Sequence, residues 1–232
     1  MKMRPFFSYY GGKWRDAVRN YPRPAHKTII EPFAGSAGYS VRYYGYDVRL
    51  YDVDPVICAV WDYLIHVKPS EILAIPDVLS GQTVDDLHIT QEARWLVGFW
   101  LNRACSTPCL SPSAWMRSGA SPTSFWGNAV RQRIAVQVEH IRHWSVRCAS
   151  YESIPQQAAT WFVDPPYQVA GSHYRHGSDG IDFAALGDWC RARDGLVIVC
   201  ENSGADWLPF TDLADVKTAR KGRRSREAVW IG

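Results

Sequence analysis

Features typical of a metal centre, a disulfide framework or a membrane anchor are missing from this sequence. Its six cysteines include no Cys-x-x-Cys pair, and neither cysteines nor histidines stand at zinc-ligand spacing. Residues 1–14 contain no signal-peptide apolar core, and no segment approaches the roughly 20 apolar residues that cross a bilayer. We therefore expect a cytoplasmic protein that binds no metal, inserts in no membrane and keeps its thiols reduced.

Charge of one sign is also scarce, since the net charge at pH 7 is only +3. A surface for a polyanion would therefore have to be a local patch. The 232 residues fit one domain with at most a sizeable insertion, and 47% hydrophobic residues support a packed core. Eleven tryptophans and twelve tyrosines are many for this length, and we expect most of them in the core or in groove walls.

The first third of the chain alternates apolar runs with helical patterns. Residues 28–33 predict a buried strand, which leads into the glycine-rich turn of residues 34–38 and a helix over 39–44. Residues 48–53 predict a second strand and residues 56–65 a second helix. This order is typical of an α/β fold with a Rossmann-like, doubly wound sheet.

Helical periodicity dominates from about residue 70 to residue 145. Strand patterns then return, at 144–149, 160–163 and 195–200. We therefore predict one α/β domain formed by residues 1–69 and 146–232, interrupted by a mostly helical insertion at 70–145.

The tetrapeptide Asp164-Pro165-Pro166-Tyr167 follows a short apolar run and precedes a glycine-containing loop at 168–180. Each proline fixes its own φ, and Pro166 also pushes Pro165 towards extended geometry, so the carbonyls there can aim at a ligand. The Asp164 carboxylate accepts hydrogen bonds, and the Tyr167 ring can stack on a base. The tetrapeptide therefore suits an exocyclic amine on a base pulled out of its stack, with the loop closing over that base.

A second candidate site is the turn Glu31-Pro32-Phe33-Ala34-Gly35-Ser36-Ala37-Gly38. Its glycines allow a tight turn and close approach to helix N–H groups, although the spacing is not the G-x-G-x-x-G of dinucleotide-binding proteins. Asp52 ends the next predicted strand, where a carboxylate can accept both ribose hydroxyls; the alternative role is a helix N-cap, for which Asp54 is better placed. The segment 8–14, which contains Gly-Gly-Lys, is either part of this site or an ordered arm with a turn.

Taken in order, these motifs resemble the Dam-type, D12-class family of adenine-specific DNA methyltransferases. Tyr10-Gly11-Gly12-Lys13 comes first, the Glu31–Gly35 turn and Asp52 follow, and Asp164–Tyr167 comes after the insertion. The run Arg226-Glu227-Ala228-Val229-Trp230 is similar to the family's closing strand. The resemblance covers nearly the whole chain. It implies a SAM-dependent methyltransferase sheet with a target-recognition insertion.

The resemblance also implies S-adenosylmethionine as methyl donor and double-stranded DNA as partner. The residues that it assigns to cofactor binding are Tyr10, Lys13, Glu31, Phe33, Ala34, Gly35, Asp52 and Asp164. The residues that it assigns to catalysis are Asp164, Pro165, Pro166 and Tyr167. It further implies a monomer or weak dimer, acting in the cytoplasm of a bacterium or, if encoded by a bacteriophage, of its host.

On this hypothesis Asp164 and the Pro165 carbonyl accept the two hydrogens of the adenine amine. The nitrogen lone pair then faces the methyl group for direct displacement. Tyr167→Ala should weaken base capture, and Tyr167→Phe should have a mild effect.

Two positions depart from the family pattern. The second glycine of the family's G-x-G turn falls one position later, at Gly38. The acid-aromatic pair often found ahead of D-P-P-Y is here Tyr151-Glu152, whose role beside the cofactor adenine is left open.

Basic and aromatic residues suggest where DNA would bind, because arginines contact phosphates or read guanine edges. The predicted contacts are Arg103, Trp115, Arg117 and Arg131 in the insertion, Tyr174 and Arg175 in the loop, and Lys221, Arg223 and Arg224 near the carboxyl terminus. The insertion arginines could instead form a solvated helix face. The C-terminal run could clamp phosphates or form a solvated hairpin.

Three other functions are weighed against this one. An RNA base-amine methyltransferase would also carry D-P-P-Y, and a silent cofactor- and DNA-binding regulator would lack only the activity. A cytosine-C5 methyltransferase would use Pro108-Cys109 and Glu201-Asn202, but Cys109 falls in the predicted insertion and Glu201 comes after D-P-P-Y.

Overall fold

A computed structural model describes residues 2–15, 20–103, 105–119, 122–168, 177–217 and 224–232. Its strands are β1 (Thr28–Glu31), β2 (Asp47–Asp52), β3 (Ser145–Cys148), β4 (Ala159–Val163), β5 (Gly195–Asn202), β6 (Thr211–Lys217) and β7 (Arg224–Ile231). Its helices are α1 (Gly38–Arg42), α2 (Pro55–His66), α3 (Pro69–Ala74), α4 (Gln91–Gly98), α5 (Ala114–Arg117), α6 (Asn128–Val138) and α7 (Phe183–Arg191). The predicted α/β class is confirmed.

The seven strands form one mixed sheet of order β3-β2-β1-β4-β5-β7-β6. The first five strands in that order are parallel, and β7 runs antiparallel to both β5 and β6. The chain leaves β1 towards β2 on one side, whereas β4 and β5 lie on the other. This reversal of direction is a topological switch point, and ligands of open α/β sheets bind outside the carboxyl ends of strands there.

Local sequence explains where the first elements begin and end. β1 ends at Glu31 because Pro32, which follows it, has no N–H to donate to a neighbouring strand. α2 begins with Pro55 at its first position, and the Asp54 carboxylate accepts the Val56 N–H at 2.9 Å. Asp54 is therefore the helix cap, as predicted.

Buried side chains cover both faces of the sheet. On one face, Ile29 of β1 and Trp61 of α2 belong to the same buried cluster as Leu96 of α4 and Ile134 of α6. On the other face, Trp161 of β4 is buried with residues of α7. The helices of segment 70–145 thus share their core with the sheet.

None of the described helices is long and apolar enough to cross a membrane. The described residues contain no group of three or more His, Cys, Asp or Glu side chains that could hold a metal ion. All six cysteines are free thiols.

Candidate active site

A cavity of about 440 Å³ opens at the carboxyl ends of β1, β2 and β4. All the residues that the family resemblance assigns to the cofactor line it: Tyr10, Lys13, Glu31, Phe33, Ala34, Gly35, Asp52 and Asp164. Pro166 lines it as well, whereas Pro165 and Tyr167 are not among its lining residues. The cavity therefore lies where the switch point of the sheet predicts a ligand.

The glycine-rich turn forms the floor of the cavity and is fixed by three hydrogen bonds. Ala34 donates its N–H to the Tyr51 carbonyl at 2.9 Å, and Gly35 donates to Asp52 Oδ2 at 3.0 Å. The indole of Trp61 donates to the Gly35 carbonyl at 2.8 Å. These bonds join the turn to β2 and α2 and so fix its position.

Ala37 occupies the position where the family's G-x-G pattern has its second glycine. This residue adopts a left-handed conformation, with φ 47° and ψ 47°, which glycine tolerates far better than alanine. Gly38 is needed for another reason, because a Cβ there would lie 2.6 Å from the Trp14 backbone nitrogen. The glycine thus allows the start of α1 to touch the amino-terminal segment.

The amino-terminal segment 8–14 forms one wall of the cavity. A Cβ on Gly12 would lie 2.9 Å from Ser36 Oγ, and one on Gly35 would lie 3.0 Å from the Tyr9 ring. Tyr10 donates its N–H to the Cys105 carbonyl at 3.1 Å, which ties the segment to the insertion. Residues 9–13 of this segment line the cavity.

Asp52 stands at the cavity with both carboxylate oxygens oriented by backbone donors. Oδ2 accepts the Gly35 N–H at 3.0 Å and Oδ1 accepts the Asp54 N–H at 2.9 Å. The Phe33 and Tyr151 rings line the same cavity, with centroids 5.7 Å apart and planes inclined by 31°.

Sequence reasoning left the role of Tyr151 open and did not select Ser150, yet both line the cavity. The signal that could have found them is positional. They directly follow β3, and the carboxyl ends of parallel strands meet at one edge of a sheet.

Beside Asp164, a buried lysine joins two carboxylates and a tyrosine. Lys13 is 6% exposed, and its Nζ lies 3.4 Å from Asp164 Oδ1 and 3.4 Å from Glu227 Oε2. The same Nζ donates to the Gly11 carbonyl at 3.2 Å and lies 4.7 Å from the centre of the Tyr167 ring. Tyr167 donates its hydroxyl to Glu227 Oε2 at 2.8 Å. Sequence reasoning noted Glu227 only as part of a closing strand.

Burial changes the proton affinity of two lining carboxyls. It raises the pKa of Asp164 to about 6, against the lowering effect of Lys13 and with a further raising effect from Glu227. It raises the pKa of Glu31 to about 8, although the Ser40 N–H, 2.8 Å away, stabilises the charged form. At neutral pH Asp164 is therefore mostly ionised and Glu31 mostly protonated.

The groups that a cytosine-C5 methyltransferase would need serve other roles. Glu201 is fully buried and accepts from the Gln168 N–H, the Asn202 N–H and the Trp207 indole, at 3.1, 2.8 and 3.1 Å. These bonds fix the end of the tetrapeptide loop. The Cys109 thiol lies 3.3 Å from the Cys105 thiol, and neither Cys109 nor Glu201 is among the residues that line the cavity.

The predicted DNA contacts are placed unevenly. Arg103 is exposed, donates to Ser124 Oγ at 2.6 Å and lies over the Phe125 ring. Arg117 is exposed and donates to the Pro112 carbonyl. Arg131 is only 13% exposed at its side chain, pairs with Asp77 and lies over Trp126.

For two of the other predicted contacts the structure describes only the backbone, and the remaining four lie outside the described residues. Trp115 lies in α5 and Arg224 begins β7, but their side chains are not described. Tyr174, Arg175, Lys221 and Arg223 lie outside the described residues. The DNA contacts therefore stay predictions.

Comparison with known proteins adds no family to this picture. No protein-family model matches the chain, and no curated protein does either. The function of the cavity has to be inferred from its own residues.

Proposed function

We propose that this protein transfers a methyl group from S-adenosylmethionine to the N6 amine of adenine in DNA. The observation that carries the proposal is the convergence of the motifs. Residues from the amino-terminal segment, the turn after β1, the end of β2 and the tetrapeptide after β4 all line one cavity. The Asp164 carboxylate lines this cavity, and its pKa of about 6 leaves it mostly ionised at neutral pH.

The donor and acceptor groups of the cavity fit such a cofactor. The Asp52 carboxylate, held by two backbone N–H groups, would accept the ribose hydroxyls. The Phe33 and Tyr151 rings of the same cavity would pack against the adenine ring. The turn at residues 34–38 and the Glu31 carboxyl would face the amino-acid end of the cofactor.

The cofactor supplies an electrophilic methyl group on a positively charged sulfur, and the protein supplies the orientation of the nucleophile. The ionised Asp164 carboxylate would accept a hydrogen of the adenine amine, and the Pro165 carbonyl would accept the other. Holding both hydrogens directs the nitrogen lone pair at the methyl group. As the new C–N bond forms and the C–S bond breaks, Asp164 would accept the proton that the nitrogen loses.

A methyl-transfer assay with the purified full chain tests this proposal. Radiolabelled S-adenosylmethionine is incubated with duplex DNA, single-stranded DNA and structured RNA, and the modified nucleosides are identified by mass spectrometry. We expect N6-methyladenine in DNA. Exclusive labelling of RNA would support the RNA methyltransferase, 5-methylcytosine alone would overturn the mechanism, and cofactor binding without product would support a silent regulator.

Methylation-aware sequencing of DNA from cells that express the protein extends the test. It reports the modified base together with its sequence context. A modification at one recurrent context is expected, because base contacts and DNA deformability select the site.

A further inference from the structure

Glu227 is a mostly buried carboxylate that the proposed chemistry does not use. It lies on β7, whose register opposes Glu227 to Asn202 at the carboxyl end of β5. This antiparallel pairing brings the side chain under the tetrapeptide loop, where only 12% of it is exposed. A buried carboxylate is costly unless it is paired and hydrogen-bonded, so its partners need an explanation.

Both partners of Glu227 belong to the candidate active site, and both use the same oxygen. Oε2 accepts the Tyr167 hydroxyl at 2.8 Å and lies 3.4 Å from Lys13 Nζ. Lys13 lies equally far from Asp164 Oδ1, at 3.4 Å. One ammonium group thus stands between two carboxylates, and the Tyr167 ring covers it at 4.7 Å.

We propose that Glu227 is a positioning residue of this site. It holds the Tyr167 ring in place, and it shares the Lys13 ammonium group with Asp164. Because Glu227 also pairs with Lys13, the pKa of Asp164 is higher than it would be if Lys13 paired with Asp164 and not with Glu227. A carboxylate with that affinity is a better acceptor for the proton released by an amine. The kinetic part of this inference rests on the proposed function.

Glu227→Gln separates this role from simple packing. Glutamine keeps the shape and an oxygen for the Tyr167 hydroxyl but removes the charge. The negative charge that competes with Asp164 for Lys13 is then gone, so the pKa of Asp164 should fall by about one unit. The other titratable groups facing the cluster are unchanged in the variant: Tyr21, Glu31 on β1, and Cys200 and Glu201 on β5.

The direct readout is the carboxyl ¹³C shift of Asp164, followed by NMR during a pH titration of the full chain without ligand. Asp164→Asn identifies the signal. Glu92→Gln, on α4 and away from the cavity, is the matched control and should leave the titration midpoint where it is in the wild type. A lower midpoint in Glu227→Gln supports the proposal, and an unchanged or higher midpoint overturns it.

The kinetic readout is the acidic limb of the pH–rate profile for methyl transfer. It should move to lower pH by the same amount, because Asp164 must be ionised to accept the amine hydrogen. Glu227→Asp keeps the charge, so its midpoint should stay near the wild type; a shift as large as that of Glu227→Gln would overturn charge sharing. If the wild type methylates no nucleic acid, the proposed function fails, whereas the NMR titration still decides the role of Glu227.

Discussion

Asp164 is the residue on which the proposed chemistry depends, because its carboxylate is the acceptor beside the amine. Asp164→Ala should lower the rate of methyl transfer by about a hundredfold or more, in line with the contribution of a positioned proton acceptor. Cofactor affinity should change little, since Asp52 and the turn after β1 remain. Single-turnover transfer and calorimetric titration with S-adenosylmethionine measure the two effects.

The matched control for this substitution is Asp188→Ala, which removes an exposed carboxylate of α7 that pairs with Arg191. It should leave both measurements unchanged. Substantial residual turnover by Asp164→Ala would contradict the assignment of Asp164.

Tyr167 has a contact in the structure that its motif alone does not predict. Its sequence context suggests a stacking ring, for which Tyr167→Phe should be mild. The structure shows that the hydroxyl donates to the buried Glu227. Losing this bond leaves a buried acceptor with one donor fewer, at a cost of about 1–3 kcal/mol.

We therefore predict that Tyr167→Phe lowers the free energy of unfolding by about 1–3 kcal/mol and that Tyr167→Ala lowers it by about 3–5 kcal/mol. Urea unfolding followed by circular dichroism measures both. Tyr46→Phe, at a tyrosine outside the cavity lining, is the control. Equal stability of Tyr167→Phe and wild type would mean that the hydroxyl bond contributes nothing net.

Glu31 gives the site a dependence on pH that can be measured without substrate. Burial raises its pKa from 4.5 to about 8, so between these values the folded chain holds a proton that the unfolded chain has lost. Stability falls with rising pH wherever the folded state binds more protons. The contribution of Glu31 to folding should therefore weaken from about pH 4.5 and be lost by about pH 8.

Glu31→Gln removes this dependence and keeps an oxygen for the Ser40 N–H. Its free energy of unfolding relative to wild type should rise between pH 5 and pH 8.5 by roughly a few kcal/mol. Urea unfolding at both pH values measures the change, with Glu92→Gln as the control. Parallel pH profiles of Glu31→Gln and wild type would show that Glu31 ionises normally in the folded protein.

At the scale of elements, the close contact between the start of α1 and the amino-terminal segment requires a glycine at position 38. Gly38→Ala would place its Cβ 2.6 Å from the backbone nitrogen of Trp14 and 2.9 Å from that of Lys13. Backbone atoms cannot turn aside as a side chain does. The segment should therefore move away from the turn and take Lys13 with it.

We predict that Gly38→Ala lowers the affinity for S-adenosylmethionine by about tenfold or more, which corresponds to about 1.4 kcal/mol. Hydrogen exchange of residues 9–14 should become faster. Gly45→Ala is the matched control, because its Cβ would meet nothing within 4 Å. Unchanged affinity and exchange in Gly38→Ala would contradict the tight contact.

Elements built from local patterns were predictable, and contacts between distant elements were not. The apolar runs before Glu31, Asp52 and Asp164 predicted β1, β2 and β4, because buried parallel strands have that composition. The meeting of Glu227 with Tyr167 depends on the antiparallel register of β7 against β5. No spacing in the sequence encodes that register, since it is set by packing across the sheet.

At the scale of the whole molecule, several arginines of the insertion serve its own packing. Arg142 donates to the Ile65 carbonyl at 2.6 Å and so joins the end of the insertion to α2. Arg133 lies over Trp100, 5.0 Å from the ring centre, and Arg131 pairs with Asp77. Of these three arginines, only Arg131 was among the predicted DNA contacts. Of the predicted DNA contacts in the insertion, Arg103 and Arg117 are exposed, whereas Arg131 is mostly buried in its pair with Asp77.

The basic run near the carboxyl terminus supplies the final prediction. If Arg223 and Arg224 each neutralise a phosphate, reversing both to Glu should flatten the plot of log K against log salt concentration by roughly two units for duplex DNA. The matched control changes Arg49 and Arg191, which pair with Asp47 and Asp188, to Glu. This double variant alters the net charge by the same amount. Titrations by fluorescence anisotropy at several salt concentrations give the slopes. A general charge effect would flatten both variants equally, whereas a local clamp flattens only the first.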